Sequence, residues 1–249
     1  MKIIKNHIAK HIHFPVIDST NTWAKLHSNE WAADGLTVIT ASSQTGGRGR
    51  LQRKWESPPD TNLYATFCFW DESVSLSIGQ IPQLLALAVV EILEELSFFC
   101  KIKWPNDLML EEKKMGGILT EVITVENKKG IVCGIGININ MTAIQLSVIN
   151  RPATSLFVVS GKIFSIENIL QSLQKKFLSY LQTFFVDGFS PFFSSFVSRS
   201  YHSKGQKIRF QTGQQCIDGE FQSWESNGAV TIRLPDHTTH IFYAGEFIE

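Results

Sequence analysis

The stretch Leu36-Thr37-Val38-Ile39-Thr40-Ala41-Ser42-Ser43-Gln44-Thr45-Gly46-Gly47-Arg48-Gly49-Arg50-Leu51-Gln52-Arg53-Lys54-Trp55 passes from a β-branched apolar run into a glycine- and arginine-rich one. Leu36 to Ala41 predicts a strand, because β-branched side chains suit a pleated, half-buried surface. From Gln44 to Trp55 the chain is too glycine-rich to hold a helix or strand by itself. That segment holds Arg48, Arg50, Arg53 and Lys54 and no acidic residue, although the 249-residue chain balances 23 Lys plus Arg against 23 Asp plus Glu. The positive charge is therefore local, and the reading is a flexible anion-binding loop whose closing Trp55 suits a flat partner such as a nucleobase. After Pro58-Pro59 the alternation of Leu63 to Trp70 predicts a second strand, so the loop is expected between two strands.

Upstream, Thr20 to Asn29 predicts a short helix capped by Ser19 or Asp18. Downstream, Ile81, Leu84, Leu85, Ala88, Ile92 and Leu96 recur at helical spacing and predict an amphipathic helix over Ser77 to Leu96. Ile102 to Asn106, Gly117 to Val125 and Gly130 to Ile139 read as strands, the last two joined by the turn Glu126-Asn127-Lys128-Lys129. A second long helix is expected over Ile166 to Phe185 and a short one over Phe189 to Ser198. This order indicates an α+β fold, a mixed β-sheet packed with helices, rather than strict βαβ alternation. From about Lys204 the texture changes to four short strands, Lys207 to Phe210, Cys216 to Ser223, Ala229 to Leu234 and Thr239 to Tyr243. Turn signals at Thr212-Gly213, Asn227-Gly228 and Pro235-Asp236 separate them, which indicates a small β-barrel. The expected division is residues 1–200 and 201–249, packed together because no low-complexity linker intervenes.

Hydrophobic residues make up 43% of the chain and charged residues 18%, ordinary values for a globular protein large enough to bury a sizeable core. Zero net charge argues against nucleic acid as a main partner. Charge interrupts the N-terminal segment, and no window approaches a membrane span, so a soluble, cytoplasmic protein without a membrane partner is expected. Cys68, Cys100, Cys133 and Cys216 form no CxxC pair and read as buried or reduced thiols. His7, His11 and His13 are close in sequence but have no acidic residue beside them, so no protein-bound metal is expected.

Generic nucleotide motifs fail. Gly47-Arg48-Gly49 has Gln52 where a dinucleotide fingerprint needs its third glycine, and Gly134-Ile135-Gly136 fails likewise at Ile139. Gly161-Lys162 is followed by Ile163 and preceded by Leu156 where a phosphate loop needs Ser or Thr and Gly. HExxH and GxSxG are absent. Five local motifs remain: Asp18-Ser19-Thr20-Asn21, the loop from Gln44 to Trp55, Lys103-Trp104-Pro105-Asn106-Asp107, Lys114-Met115-Gly116-Gly117-Ile118-Leu119, and Gly134-Ile135-Gly136-Ile137-Asn138-Ile139-Asn140.

In order and spacing these five resemble the biotin protein ligases, from about Phe14 through the small C-terminal barrel. The resemblance implies a catalytic domain of the biotin/lipoate ligase type, similar to class II aminoacyl-tRNA synthetases, followed by an SH3-like barrel. It implies an enzyme that joins biotin to ATP, with Mg2+ on the nucleotide phosphates, and passes the biotinyl group to a lysine of a biotin carboxyl carrier domain, acetyl-CoA carboxylase being the usual owner. Adenylation brings a carboxylate against a phosphate, so it needs positioned cations. Arg48, Arg50 and Lys114 stand at matching positions, with Arg50 and Lys114 expected on the phosphate and carboxylate oxygens; the plainer reading of the arginines is a solvated charged loop. Ser19, Thr20 and Gln44 match ureido contacts, Asn21 and the loop glycines Gly47 and Gly49 belong to the same binding set, and Gly116 and Gly117 would let a strand approach the ring. Ser19-Thr20 can equally be a helix cap. Trp55 resembles the residue that packs on adenine, against a core aromatic, and Asn138 one that contacts nucleotide. Asp107 is expected to orient and help deprotonate the acceptor lysine, with Asn106 beside it, against a turn role for both. Trp104 reads as packing. Only 18 residues precede Ser19, which implies a ligase without the DNA-binding domain of some members. A homodimer through an exposed strand edge is compatible with the sequence. The alternatives are a lipoate ligase or octanoyltransferase of the same fold, and a non-catalytic biotin sensor.

Overall fold

The computed structural model describes residues 8–71 and 78–248. A mixed sheet is built from β1 (Ile8–Ile17), β2 (Leu36–Gln44), β3 (Leu63–Asp71), β4 (Lys101–Lys103), β5 (Asp107–Leu110), β6 (Lys113–Val125) and β7 (Lys128–Ile137). Its strand order is β1-β2-β3-β7-β6-β5-β4, with β1 parallel to β2 and the remaining pairs antiparallel. Helix α1 (Thr20–Leu26) connects the parallel pair.

One face of this sheet is covered by α2 (Ile81–Glu94), α5 (Ile166–Asp187) and α6 (Ser190–Ser198), with the short α3 (Ala143–Leu146) and α4 (Leu156–Ser160) lying between β7 and α5 in the chain. Helix α2 is buried at nearly every position from Ile81 to Leu93 because it lies inside this layer. Helix α5 is amphipathic, and its stripe Ile169, Leu170, Leu173, Phe177, Leu181 and Phe184 faces the core, where Phe177 meets Phe67 at 5.2 Å. The polar side of the layer is closed by Glu91, which accepts from Ser195 Oγ (2.9 Å), Lys176 Nζ (3.3 Å) and Tyr180 and so ties α2 to α5 and α6.

On the opposite face, Ala24 of α1 and Trp31 pack on Ile39, Cys68 and Val132. The β7 sequence explains why the rest of that face stays open. Ile131, Cys133, Ile135 and Ile137 point to the helical layer, while Gly130, Val132, Gly134 and Gly136 point away from it. Three of those four outward positions lack a side chain, so the strand presents a bare strip.

The second sheet contains β8 (Lys207–Thr212), β9 (Gln215–Trp224), β10 (Val230–Arg233), β11 (Thr239–Phe242) and β12 (Glu246–Ile248), all antiparallel in the order β11-β10-β9-β8-β12. Its core runs into that of the first sheet, since Trp104 packs on Phe210 (5.7 Å) and Phe247 (6.0 Å). Gln80 and Gln83 donate to Ser226 O and Gly228 O (2.9 Å each), and Trp104 Nε1 donates to Gly228 O (3.1 Å).

Several elements differ from the sequence reading. Strand β1 was not expected, because Lys10, His11, His13 and Pro15 break its apolar pattern; it is an edge strand, where one side of the backbone needs no partner. His11 and His13 both bond Thr40 Oγ1 (2.9 and 3.0 Å), while His7 lies outside the described residues. The single strand expected over 102–106 is instead two, because the chain turns at residues 104–106 and returns as β5. The amphipathic helix begins at Ile81, with Pro82 in its first turn, and Ser77 lies outside the described residues. The first helix ends at Leu26, and α3, α4 and the three-residue β12 were not anticipated. Cys68, Cys100 and Cys133 are buried free thiols, and burial pushes Cys100 and Cys133 up to about 12, which keeps them protonated and unreactive. Among the described residues no helix is long and apolar enough to cross a membrane.

Candidate active site

A cleft of about 390 Å³ opens over the bare strip of β7, between the start of α1, the arginine loop, the β4–β5 turn, the β5–β6 hairpin and β12. It is of a size for one small organic molecule. One wall is the N-terminus of α1. Ser19 caps the helix, its Oγ accepting from Thr22 N (3.4 Å), so the capping role is real, and the residue also lines the cleft. Gln44, at the end of β2, accepts from Thr20 N (2.9 Å) and Thr20 Oγ1 (3.2 Å) and donates to Ser57 Oγ (3.1 Å). Thr66 Oγ1 sits between Thr20 Oγ1 (2.8 Å) and Asn21 Oδ1 (2.7 Å). These side chains form a fixed polar wall whose orientation is set before any ligand arrives.

The floor is β7. A Cβ at Gly134 would lie 2.0 Å from Asn21 Oδ1, and one at Gly136 would lie 2.5 Å from the Trp55 indole. Asn21 is spent on the framework, donating to Leu119 O (3.1 Å) and Glu121 Oε2 (3.0 Å). Asn138 holds the end of β7: its Nδ2 donates to Thr154 O (3.1 Å) and its Oδ1 accepts from Asn62 Nδ2 (3.3 Å). Both line the cleft with side chains that also tie neighbouring elements together.

The arginine loop is folded back on itself. Trp55 N donates to Gly47 O (2.9 Å) and Gly49 N to Arg53 O (2.7 Å), which closes a miniature hairpin around a 3-10 turn at Arg50–Gln52. Leu51 and Gln52 take positive φ (55° and 58°), a conformation that costs non-glycine residues ~1 kcal/mol each. Gly47 is required at the hairpin neck, where a Cβ would meet Trp55 O at 2.6 Å, and it is not on the cleft wall; Gly49 is. Arg48 donates to Thr22 Oγ1 (2.7 Å). Arg50 spans the cleft, donating to Asn106 Oδ1 (3.3 Å) and Gly245 O (3.1 Å), and burial lowers its pKa without threatening its charge. The Trp55 ring lies on Gly136 with Lys114 Nζ 5.7 Å from its centroid, and its buried Nε1 has no hydrogen-bond partner among the described residues.

The far wall is the Trp104–Asp107 turn. Trp104 packs into the second sheet, and Asn106 Nδ2 donates to Ile118 O (2.7 Å), which fixes the turn on β6. Asp107 Oδ1 then meets Lys114 Nζ at 2.6 Å across β5 and β6. Lys114 is itself anchored by backbone bonds to Pro152 O (3.1 Å) and Thr154 N (3.0 Å). Gly117 lies beneath the pair, where a Cβ would come within 3.3 Å of Lys114 Nζ. A Cβ at Gly116 would lie 2.9 Å from Gly136 O and Leu108 Cδ1, so strand packing requires that glycine. Arg53, named in the sequence only as one cation of the loop, also lines the cleft, as do Arg151, Glu112 and Glu246, which sequence reading missed. No local motif marks those three.

The cleft carboxylates test the fit of magnesium. Asp107 is paired with Lys114, Glu56 with Lys54 and Glu246 with Arg53, and Glu112 accepts from Tyr201. Among the described residues no cluster of three His, Cys, Asp or Glu side chains could hold a metal ion. These residues suit a magnesium ion that enters on nucleotide phosphates and not one caged by protein.

The model of the biotin/lipoate A/B protein ligase family matches residues 13–138. The chain is 32% identical over 241 residues to the bifunctional ligase/repressor BirA of Bacillus spizizenii, covering 94% of this chain and 72% of that protein. It is 28% identical over 230 residues to the biotin–[acetyl-CoA-carboxylase] ligase of Paracoccus denitrificans, covering 88% and 92%. Among solved structures, the biotin protein ligase of Aquifex aeolicus in complex with biotin and ATP superposes with a TM-score of 0.81 at 30% identity, covering 96% of this chain and 98% of that one.

Proposed function

Since the chain belongs to the biotin/lipoate A/B protein ligase family, we propose that it activates biotin with ATP and transfers the biotinyl group to a lysine of a biotin carboxyl carrier domain. The observation that supports this most directly is the meeting of Arg50, Asn106, Asp107 and Lys114 in one cleft, drawn from three motifs far apart in sequence. A carboxylate oxygen of biotin attacks the α-phosphorus of ATP; the acyl–phosphate bond forms as the bond to the bridging oxygen breaks, and pyrophosphate leaves with that oxygen. Arg50 and Lys114 neutralise charge on the two reacting anions, with Arg48 at the loop neck. The wall of Thr20 and Gln44 offers a polar edge to the uncharged ureido ring, and Trp55 offers its face to the base. Magnesium supplies charge neutralisation on the nucleotide phosphates.

In the second step the neutral ε-amine of the acceptor attacks the acyl carbon, an amide forms, AMP departs and one proton is released. Asp107 is placed to hold that amine and accept its proton once Lys114 turns to the phosphate. A carrier domain of acetyl-CoA carboxylase, met in the cytoplasm, is the acceptor expected from the Paracoccus relative.

The test is pyrophosphate release from ATP by the purified chain with magnesium, with biotin or lipoate as acid, followed by transfer to isolated carrier domains. Biotin-dependent release and one biotinylated lysine are expected. Lipoyl transfer without biotinyl transfer would replace the reading with a lipoate ligase, and no release with either acid would replace it with a sensor. A narrower prediction concerns Gly136→Ala, whose Cβ enters the indole of Trp55 at 2.5 Å. The variant should raise KM for ATP about tenfold, the worth of one base–aromatic stack, while kcat changes less. An unchanged KM would remove Trp55 from the nucleotide.

A further inference from the structure

We infer that Glu246, on the last strand of the C-terminal sheet, is a positioning residue that latches the arginine loop over the cleft and sets how long an acyl-adenylate is retained. Both terminal nitrogens of Arg53 reach the two oxygens of Glu246, with Nη1 2.8 Å from Oε2. The neighbouring Gly245 O accepts from Arg50 Nη2 (3.1 Å), so two loop arginines dock on consecutive residues of the other sheet. A planar fork on a carboxylate fixes orientation as well as distance.

The two sides of this contact differ in stiffness. The β12 side is rigid: Glu246 pairs with Gln211 and Phe247 with Phe210, and Phe247 is buried against Phe210 and Trp104. Gly245 has φ 149°, and a Cβ there would collide with Phe210 at 2.4 Å, so the backbone before Glu246 is closely packed. The loop side is strained, because Leu51 and Gln52, the residues between Arg50 and Arg53, sit at positive φ. A loop in that conformation relaxes when its docking contacts are lost. Glu246 is 13% exposed at its side chain, and although burial opposes its charge, the Arg53 bond and the charges of Arg53, Arg50 and Arg151 hold it ionised.

The same sheet accepts the Trp104 hydrogen bond and packs on its ring, so it braces both the loop and the turn that presents Asp107. The C-terminal sheet thus closes the cleft without contributing to the chemistry. This role rests on the reaction proposed above.

The experiment compares wild type, Glu246→Gln, and the charge swap Arg53→Glu with Glu246→Arg. Three rates are read: pyrophosphate formation from biotin and magnesium-ATP in a single turnover, biotinyl-adenylate appearing free in solution, and trypsin cleavage after Arg50 and Lys54, the loop sites that all three proteins share. For Glu246→Gln, adenylate escape and loop cleavage should rise about tenfold while pyrophosphate formation changes less than about threefold, and the swap should restore both toward wild type. Melting curves identify a variant that has failed to fold, which the swap control then replaces. Escape and cleavage equal to wild type in Glu246→Gln would overturn the latch, as would a swap that restores neither. A wild-type protein that forms no biotinyl-adenylate overturns the proposed reaction instead, and the cleavage rates then judge the latch alone.

Discussion

Lys114→Gln is expected to slow biotin-dependent pyrophosphate release by about 10²- to 10³-fold, the range for removing one preorganised charged donor from a reaction that builds up negative charge. The substitution acts on the head group alone. The backbone at residue 114 is held by Pro152 and Thr154 whatever its side chain, so β6 and the floor of the cleft should stay in place. Its side chain is 18% exposed and that of Asp107 is 24% exposed, so an unpaired Asp107 remains reachable by water and the stability loss should be only about 1 kcal/mol. Both readouts are needed. A loss of activity smaller than about tenfold with an intact fold would take Lys114 out of the chemistry.

Arg50→Gly should have the opposite signature. The adenylate still forms, though more slowly, because Lys114 and Arg48 remain, but it escapes, and lysines of an unrelated protein such as serum albumin become biotinylated. Arg50 is the strut across the cleft, joining Asn106 of the catalytic turn to Gly245 of the second sheet. Glycine removes both bonds and also relieves the need for a fixed backbone next to Leu51. Bystander labelling should rise about 10- to 100-fold at equal adenylate production, the equivalent of losing one to two charge-assisted hydrogen bonds. Labelling confined to the carrier domain would show that Arg50 does not retain the intermediate. Lys114 therefore tests formation of the adenylate, and Arg50 tests its retention.

The residues show how much could be read in advance. The helix cap at Ser19, the stripe of α5 and the alternation of β3 are local, with partners within a few positions, so pattern alone placed them. Strand β1 was not legible, because an edge strand tolerates Lys10, His11, His13 and Pro15 and loses the alternation that marks a buried one. The Asp107 hairpin was half legible: Pro105 announced the turn, but nothing local showed that β5 continues beyond it. The Gly134-Ile135-Gly136 run looked like a failed dinucleotide fingerprint. Its glycines instead leave room for the side chains of Asn21 and Trp55, a purpose visible only once those residues lie above it.

By itself the sequence determined the α+β class, the family resemblance and the motif residues that meet at the cleft, because chemistry that needs particular side chains keeps them in short recognisable runs. The tertiary structure decided how those runs work together. It closed the arginine segment into a hairpin, packed Gly47 and Gly116 against neighbouring backbone, and tied Asn21 and Asn138 to the framework. It also joined Arg53 to Glu246. Such pairs are set by the docking of two sheets, whose contacts depend on distances in space and leave no periodic trace along the chain.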